Sequence, residues 1–179
     1  CWPAAISGSP TPAMSASAIH AQSARDPSEM LSMLLASLRE ELSSTEMYIS
    51  VFFGVIDHGG ARLRFANAGH PHAFVIGADG STKRLAAAAP PLGLSDEVPS
   101  AESMPWQKGS DLLVLFTDGI VDSRNRAGVR IGEGAILETI VKNRTKTEAE
   151  IVESVFKLIG KHSRGTSSSD DLTLVVLGS

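Results

Sequence analysis

The chain has 179 residues, 42% of them hydrophobic, with 16 Lys and Arg against 20 Asp and Glu for a net charge of -4. That is enough sequence for one domain with a real core, and the near-balanced charge speaks against nucleic acid or an anionic membrane surface as the main partner. Cys1 is the only cysteine, which excludes an internal disulfide or a cysteine metal cluster and makes a reducing, cytoplasmic compartment the default; no apolar run approaches the roughly 20 residues of a membrane-crossing helix, and no signal-peptide pattern is present.

The chain opens at Cys1-Trp2 without an initiator methionine, which reads as a fragment. Ala4 to Ile6 is expected as a strand remnant, Ser7 to Thr11 as a loop, and a small-residue helix from Pro12 through Met14, Ala18 and Ile19. Asp26-Pro27-Ser28-Glu29 predicts a capped helix start, followed by Leu31, Leu34, Leu35, Leu38 and Leu42 on one face. Met47 to Asp57 reads as a strand, His58-Gly59-Gly60 as a turn, and Ala61 to Asn67 as the returning strand with Leu63 and Phe65 inward. After a break at Ala68-Gly69-His70-Pro71, strands are predicted at His72 to Ile76 and Lys83 to Leu85, extending an antiparallel meander. Residues 86–110 read as a long loop with a short strand near Ala101 to Met104.

Leu112 to Phe116 is an apolar run expected to form a strand buried on both faces, ending in Thr117-Asp118-Gly119. Two helices follow, Gly134 to Lys142 and one capped by Thr147 with Glu150 three residues on and ended by Gly160. A Ser/Gly-rich loop from His162 to Ser169 then leads to a closing strand, Leu172 to Leu177. Helices segregated from antiparallel strands define an α+β class.

A strand end is a rigid mount for a carboxylate, and Gly119 would let the backbone turn at once so that Asp118 leaves the sheet edge. On that stretch alone an ordinary Asp-Gly turn is the preferred reading. Asp170 and Asp171 stand at the start of another apolar strand. If the two strands are antiparallel neighbours, their acids meet, and carboxylates sharing a site repel unless a cation lies between them. A serine-hydrolase elbow and a phosphate-binding loop ending in Lys-Ser/Thr are both missing from the sequence. Phe116 occupies the position where an aspartyl-phosphate hydrolase needs its second acid. His70 and His72 have the one histidine spacing worth noting, with a surface or core-edge role expected rather than ligation.

Asn67-Ala68-Gly69-His70-Pro71, Leu113 to Gly119 and Asp170 to Leu174, in that order and with suitable spacers, resemble the PPM-type metal-dependent serine/threonine phosphatases, in their bacterial SpoIIE/RsbU branch. Pro90, Leu92, Gly93 and the Gly109-Ser110-Asp111 turn add to the likeness, which runs from about Ser7 to Leu177. The resemblance implies one domain over 1–179: an antiparallel β-sandwich flanked by helix pairs, with N-terminal strands missing. It implies a dinuclear Mn²⁺ or Mg²⁺ site whose metal-activated water attacks a phosphoserine or phosphothreonine. Carried over residue by residue, Asp118 and Asp170 are metal ligands, with Asp171 replacing Asp170 if the motif is read one residue out. Gly8 offers a carbonyl to the second metal, and Gly119 and Asn67 support the site from behind. The implied substrate is a phosphorylated anti-sigma-factor antagonist, and the implied associations are a homodimer or an attached sensor or receiver domain. One departure stands out: Ala5 occupies the place of the family's metal-bridging Asp. The rival reading is therefore a catalytically silent module that binds a phosphoprotein or a partner domain.

Overall fold

A computed structural model describes residues 26–57, 61–164 and 170–178. The expected strand remnant and first helix, the 58–60 turn and most of the loop before the last strand lie outside the described residues. In chain order the elements are α1 (Pro27–Thr45), β1 (Val51–Ile56), β2 (Arg62–Ala68), β3 (His72–Ile76), β4 (Thr82–Arg84), β5 (Glu102–Pro105), β6 (Leu112–Phe116), α2 (Asp118–Asp122), α3 (Glu133–Asn143), α4 (Glu148–His162) and β7 (Leu174–Leu177).

The strands form two sheets, with orders β1-β2-β5 and β4-β3-β6-β7. This corrects the expectation of one continuous meander: β3 follows β2 in sequence but pairs with β4 and β6 instead. The cause lies at the break. Gly69 has φ +74°, and a Cβ there would overlap the ring of Pro91, so this position needs glycine. Pro71 then lacks the N–H that a continuing ladder requires.

The chain divides into two compact units. One comprises the residues up to Val55, Arg64–Gly69 and Ala88–Glu102; the other comprises Ile56–Leu63, His70–Ala87 and the residues from Ser103 onward. In the first unit, the Asp26 carboxylate accepts from the N–H groups of Ser28 (2.8 Å) and Glu29 (3.3 Å), satisfying two otherwise unpaired donors at the start of α1. Leu31, Leu35 and Leu42 of that helix are buried with Ala66, Ala68 and Leu92, while Leu34 and Leu38 pack at the margin of the cluster. Ile49 and Leu92 exchange backbone hydrogen bonds at 2.9 Å, tying the approach to β1 to the Pro-rich loop.

In the second unit, β6 is central, antiparallel to β3 on one side and to β7 on the other. Its alternate residues Leu112, Val114 and Phe116 join Phe74, Ile76 and Val176 in a core completed by Ile136 and Ile140 of α3 and Ile151, Val155 and Ile159 of α4. Thr147 and Glu150 make the expected reciprocal cap of α4. Gly160 does not end that helix. The Ser163 N–H bonds the Ile159 carbonyl at 2.8 Å, carrying the last turn through His162.

Full burial sets the expected cost of truncation on α1. Leu31→Ala should lower stability by about 2–5 kcal/mol, and Leu34→Ala by clearly less, because part of that side chain is already in water. Urea unfolding of the two variants checks this, and an equal loss in both would contradict the assigned inner face.

Candidate functional site at the end of strands β6 and β7

Register brings the acids together. Phe116 pairs with Leu174 across β6 and β7, so Thr117 and Asp118 leave one strand where Asp170 to Thr173 approach the other. Thr117 fastens this junction. Its N–H donates to the Thr173 carbonyl (3.1 Å), its hydroxyl donates to the Asp171 carbonyl (3.1 Å), and the same hydroxyl accepts from the Thr173 N–H (3.1 Å). Each such bond contributes about 0.5–1.5 kcal/mol net, so the set matters chiefly by fixing which residues face each other.

The role expected of Gly119 is corrected. The chain does not make a tight turn there; Asp118 opens the five-residue helix α2. Gly119 is required by proximity, because a Cβ at this position would collide with the Asp171 carbonyl and lie 3.4 Å from Asp170 Cβ. It lets the two acidic segments touch. Asp170 is further shaped by its own backbone, with its Oδ1 accepting from the Asp171 N–H at 2.9 Å.

A second group of residues reaches Asp118 from the other side of β6. His72 lies opposite Phe116 in the ladder, and the two rings stack at 4.7 Å and 14°. The His72 Nε2 is 3.0 Å from Asp118 Oδ1, and its Nδ1 is 2.7 Å from Glu133 Oε2. A ring donating from both nitrogens satisfies both carboxylates. Glu133 in turn pairs with Arg84, whose other guanidinium nitrogen donates to the Pro71 carbonyl at 2.6 Å. The Arg84 guanidinium also lies 4.6 Å above the Phe74 ring. Side-chain exposure falls from 65% at Asp118 to 27% at Glu133 and 13% at His72, so the acid faces solvent while its supports are enclosed. Burial pushes the nearby His70 imidazole below its ordinary pKa; the His72 ring adds to this, while a hydrogen bond with the His72 backbone and the Asp118 charge oppose it.

Asp118, Gly119, Asp170 and Asp171 are thus brought together. Asn67 is buried on β2 in the first unit, its carbonyl accepting from the Ala88 N–H at 3.1 Å. Gly8 and Ala5 lie outside the described residues. His72 stands at the core edge, as expected, stacked on Phe116, but its bond to Asp118 and its partners Glu133 and Arg84 had no sequence signal. Asp118 and Asp170 carry hard oxygen donors, a type that fits a divalent ion such as Mg²⁺ or Mn²⁺. Among the described residues, no cluster of three or more His, Cys, Asp or Glu side chains suits a metal. The described part of the chain therefore supplies only part of a ligand set.

A model of the Stage II sporulation protein E (SpoIIE) family matches residues 3–178. The chain belongs to the SpoIIE family. Among curated relatives, this SpoIIE-family chain is 28% identical over 132 residues to Protein IcfG of Synechocystis sp. (strain PCC 6803), covering 73% of the chain and 20% of the relative. It is 30% identical over 88 residues to the phosphoserine phosphatase RsbP of Bacillus subtilis, covering 49% of the chain and 22% of that protein. The chain thus spans about a fifth of the length of these relatives. Its fold is that of the PP2C phosphatases. The SiaA PP2C domain of Pseudomonas aeruginosa superposes with a TM-score of 0.80 at 19% identity, over 93% of this chain and 67% of that one. The catalytic domain of the serine/threonine phosphatase PstP, solved with two manganese ions, gives 0.60 at 16% identity, over 92% and 79%. Among the described residues, no helix is long and apolar enough to cross a membrane.

The contact at Gly119 yields a paired test. Gly119→Ala should destabilise by about 1–3 kcal/mol because backbone stands in its way. Gly160→Ala, with nothing within 4 Å, should stabilise by about 0.4–1 kcal/mol. Thermal melts of both variants read the opposite signs.

Proposed function

We propose that this SpoIIE-family chain is a divalent-metal-dependent serine/threonine protein phosphatase domain, with Asp118 and Asp170 as metal ligands. The observation that carries the proposal is the junction of β6 and β7, where Thr117 and Gly119 hold two acidic segments against each other at a solvent-facing strand end. Asp171 contributes its backbone to that junction and is the alternative ligand, while Gly8 is assigned its carbonyl role by resemblance alone. Mn²⁺ or Mg²⁺ would supply positive charge for a transferring phosphoryl group and acidify water at neutral pH. The chain's own contribution is to hold the carboxylates in place: Thr117 sets the register and Gly119 permits the approach, while Asn67 is assigned its supporting role by resemblance alone.

The family match runs through both compact units, which supports treating 1–179 as a single domain. The proposed substrate is a phosphorylated signalling protein, specifically an anti-sigma-factor antagonist, in a cytoplasmic setting. The phosphoserine phosphatase RsbP, as a relative, supports phosphoserine as the group acted on. The greater length of both curated relatives supports an attached sensor or receiver domain, and homodimerisation is proposed with it. A second reading rests on the resemblance: aligned with the family, Ala5 stands in the place of the bridging acid, which suits a silent module that binds a phosphoprotein without turning it over.

Hydrolysis of a phosphoserine peptide, measured with and without Mn²⁺, separates the two. Metal-dependent turnover is expected, with a loss of at least about 100-fold in Asp118→Asn and an unchanged melt for that exposed side chain. Equal turnover in parent and variant would overturn the metal assignment. A folded parent that retains the peptide without cleaving it would establish the second reading.

A further inference from the structure

The site acid is approached by a chain of side chains running from core to solvent: Phe116, His72 and then Asp118, with Glu133 and Arg84 behind His72. Each link has a physical reason. His72 can slide only at the cost of its stack on Phe116, whose own side chain is 1% exposed. It can rotate about its ring only by giving up the Glu133 carboxylate at 2.7 Å. Glu133 is restrained by Arg84, and Arg84 by the Pro71 carbonyl and the Phe74 ring. The backbone around Glu133 is tied down as well. The Gly132 N–H donates to the Val121 carbonyl at 3.0 Å and the Ile131 N–H to the Ser123 carbonyl at 2.9 Å, fastening the start of α3 to α2, the helix that Asp118 opens. The imidazole is thus fixed in position and rotation before it meets the acid, and the bond it makes falls on Oδ1 of Asp118.

We propose that His72 is a positioning residue for Asp118, binding one carboxylate oxygen so that the other is presented to a divalent cation, with Glu133 and Arg84 setting the orientation of the imidazole. This rests on the assignment of Asp118 as a metal ligand and extends it to residues that no sequence motif marked. A carboxylate left to rotate must be ordered when the cation binds; one already held by a fixed donor has less freedom to lose.

The test is Mn²⁺ binding to the full chain, followed by the loss of the free-ion electron paramagnetic resonance signal, in the parent and in Asp118→Asn, His72→Phe, His72→Ala and His72→Gln. His72→Phe keeps the stack on Phe116 and removes the donor. His72→Ala is the second donor-free variant should the first fail to fold. His72→Gln restores one donor. The expected result is that the donor-free variants bind Mn²⁺ about 10–100-fold more weakly, which is the usual cost of losing a partner behind a metal ligand. The Gln variant should recover most of that loss while all variants keep a cooperative melt. Glu133→Gln should weaken binding in the same direction through the freed imidazole. Binding unchanged in a folded donor-free variant, with Asp118→Asn impaired, would overturn the positioning role alone. Equal behaviour of the parent and Asp118→Asn, including no binding by either, would overturn the ligand assignment and this inference with it.

Discussion

The antiparallel pairing of β6 with β7 is the constraint on which the rest depends. These strands are separated by 56 residues between Thr117 and Thr173, yet one hydroxyl joins them by accepting from one backbone N–H and donating to a carbonyl two residues earlier. Because side chains alternate across a sheet, a slip of one residue would invert the faces of β7, sending Val176 out of the core and withdrawing the Asp170 segment from Gly119. The core registers the strand, and the strand places the acid. The α3–α4 pair therefore serves the site indirectly: Ile136, Ile140, Ile151 and Val155 hold down the face of β6 that carries Phe116.

Around that junction Asp118, His72, Glu133 and Arg84 are joined in one row, with the end members Asp118 and Arg84 exposed and His72 and Glu133 between them enclosed. Partly enclosed charges of this kind hold their geometry better than exposed pairs, since fewer water molecules compete for them. Lys142–Glu138 and Lys157–Glu153, both one helical turn apart and exposed, show the contrast: they decorate α3 and α4 and fix nothing at the site.

Much of this was legible in the sequence wherever a local signal existed. The α1 start at Asp26-Pro27, the Thr147–Glu150 cap and the apolar run of β6 all announce themselves within a few residues, and the structure has each of them. The three ordered motifs carried the family, which the match over 3–178 bears out. What escaped was long-range. The partition of β2 and β3 into different sheets depends on Gly69 meeting Pro91, a contact 22 residues apart that no periodicity encodes. Gly119 looked like a turn glycine because Asp-Gly is a turn pair, whereas its reason is a carbonyl 52 residues downstream. His72 and Glu133 lie 61 residues apart, and neither residue type at its own position implies the other.

The ring stack in the second unit has a wider meaning. Arg84 covers Phe74, Phe74 lies 5.7 Å from Phe116 and nearly parallel to it, and Phe116 carries His72. Two rings that belong to the hydrophobic interior, Phe74 and Phe116, thus lead to the group that touches Asp118, the proposed metal ligand. Interior and candidate site here are joined by one stack of flat rings with no soft layer between them, and close-packed interiors transmit strain. A chain in which Phe74 drifted to leucine could remain well folded and still lose the alignment of its outermost carboxylate. Sequence change in this domain is therefore constrained at Phe74 and Phe116 by more than hydrophobicity: flatness itself is part of what those positions must supply.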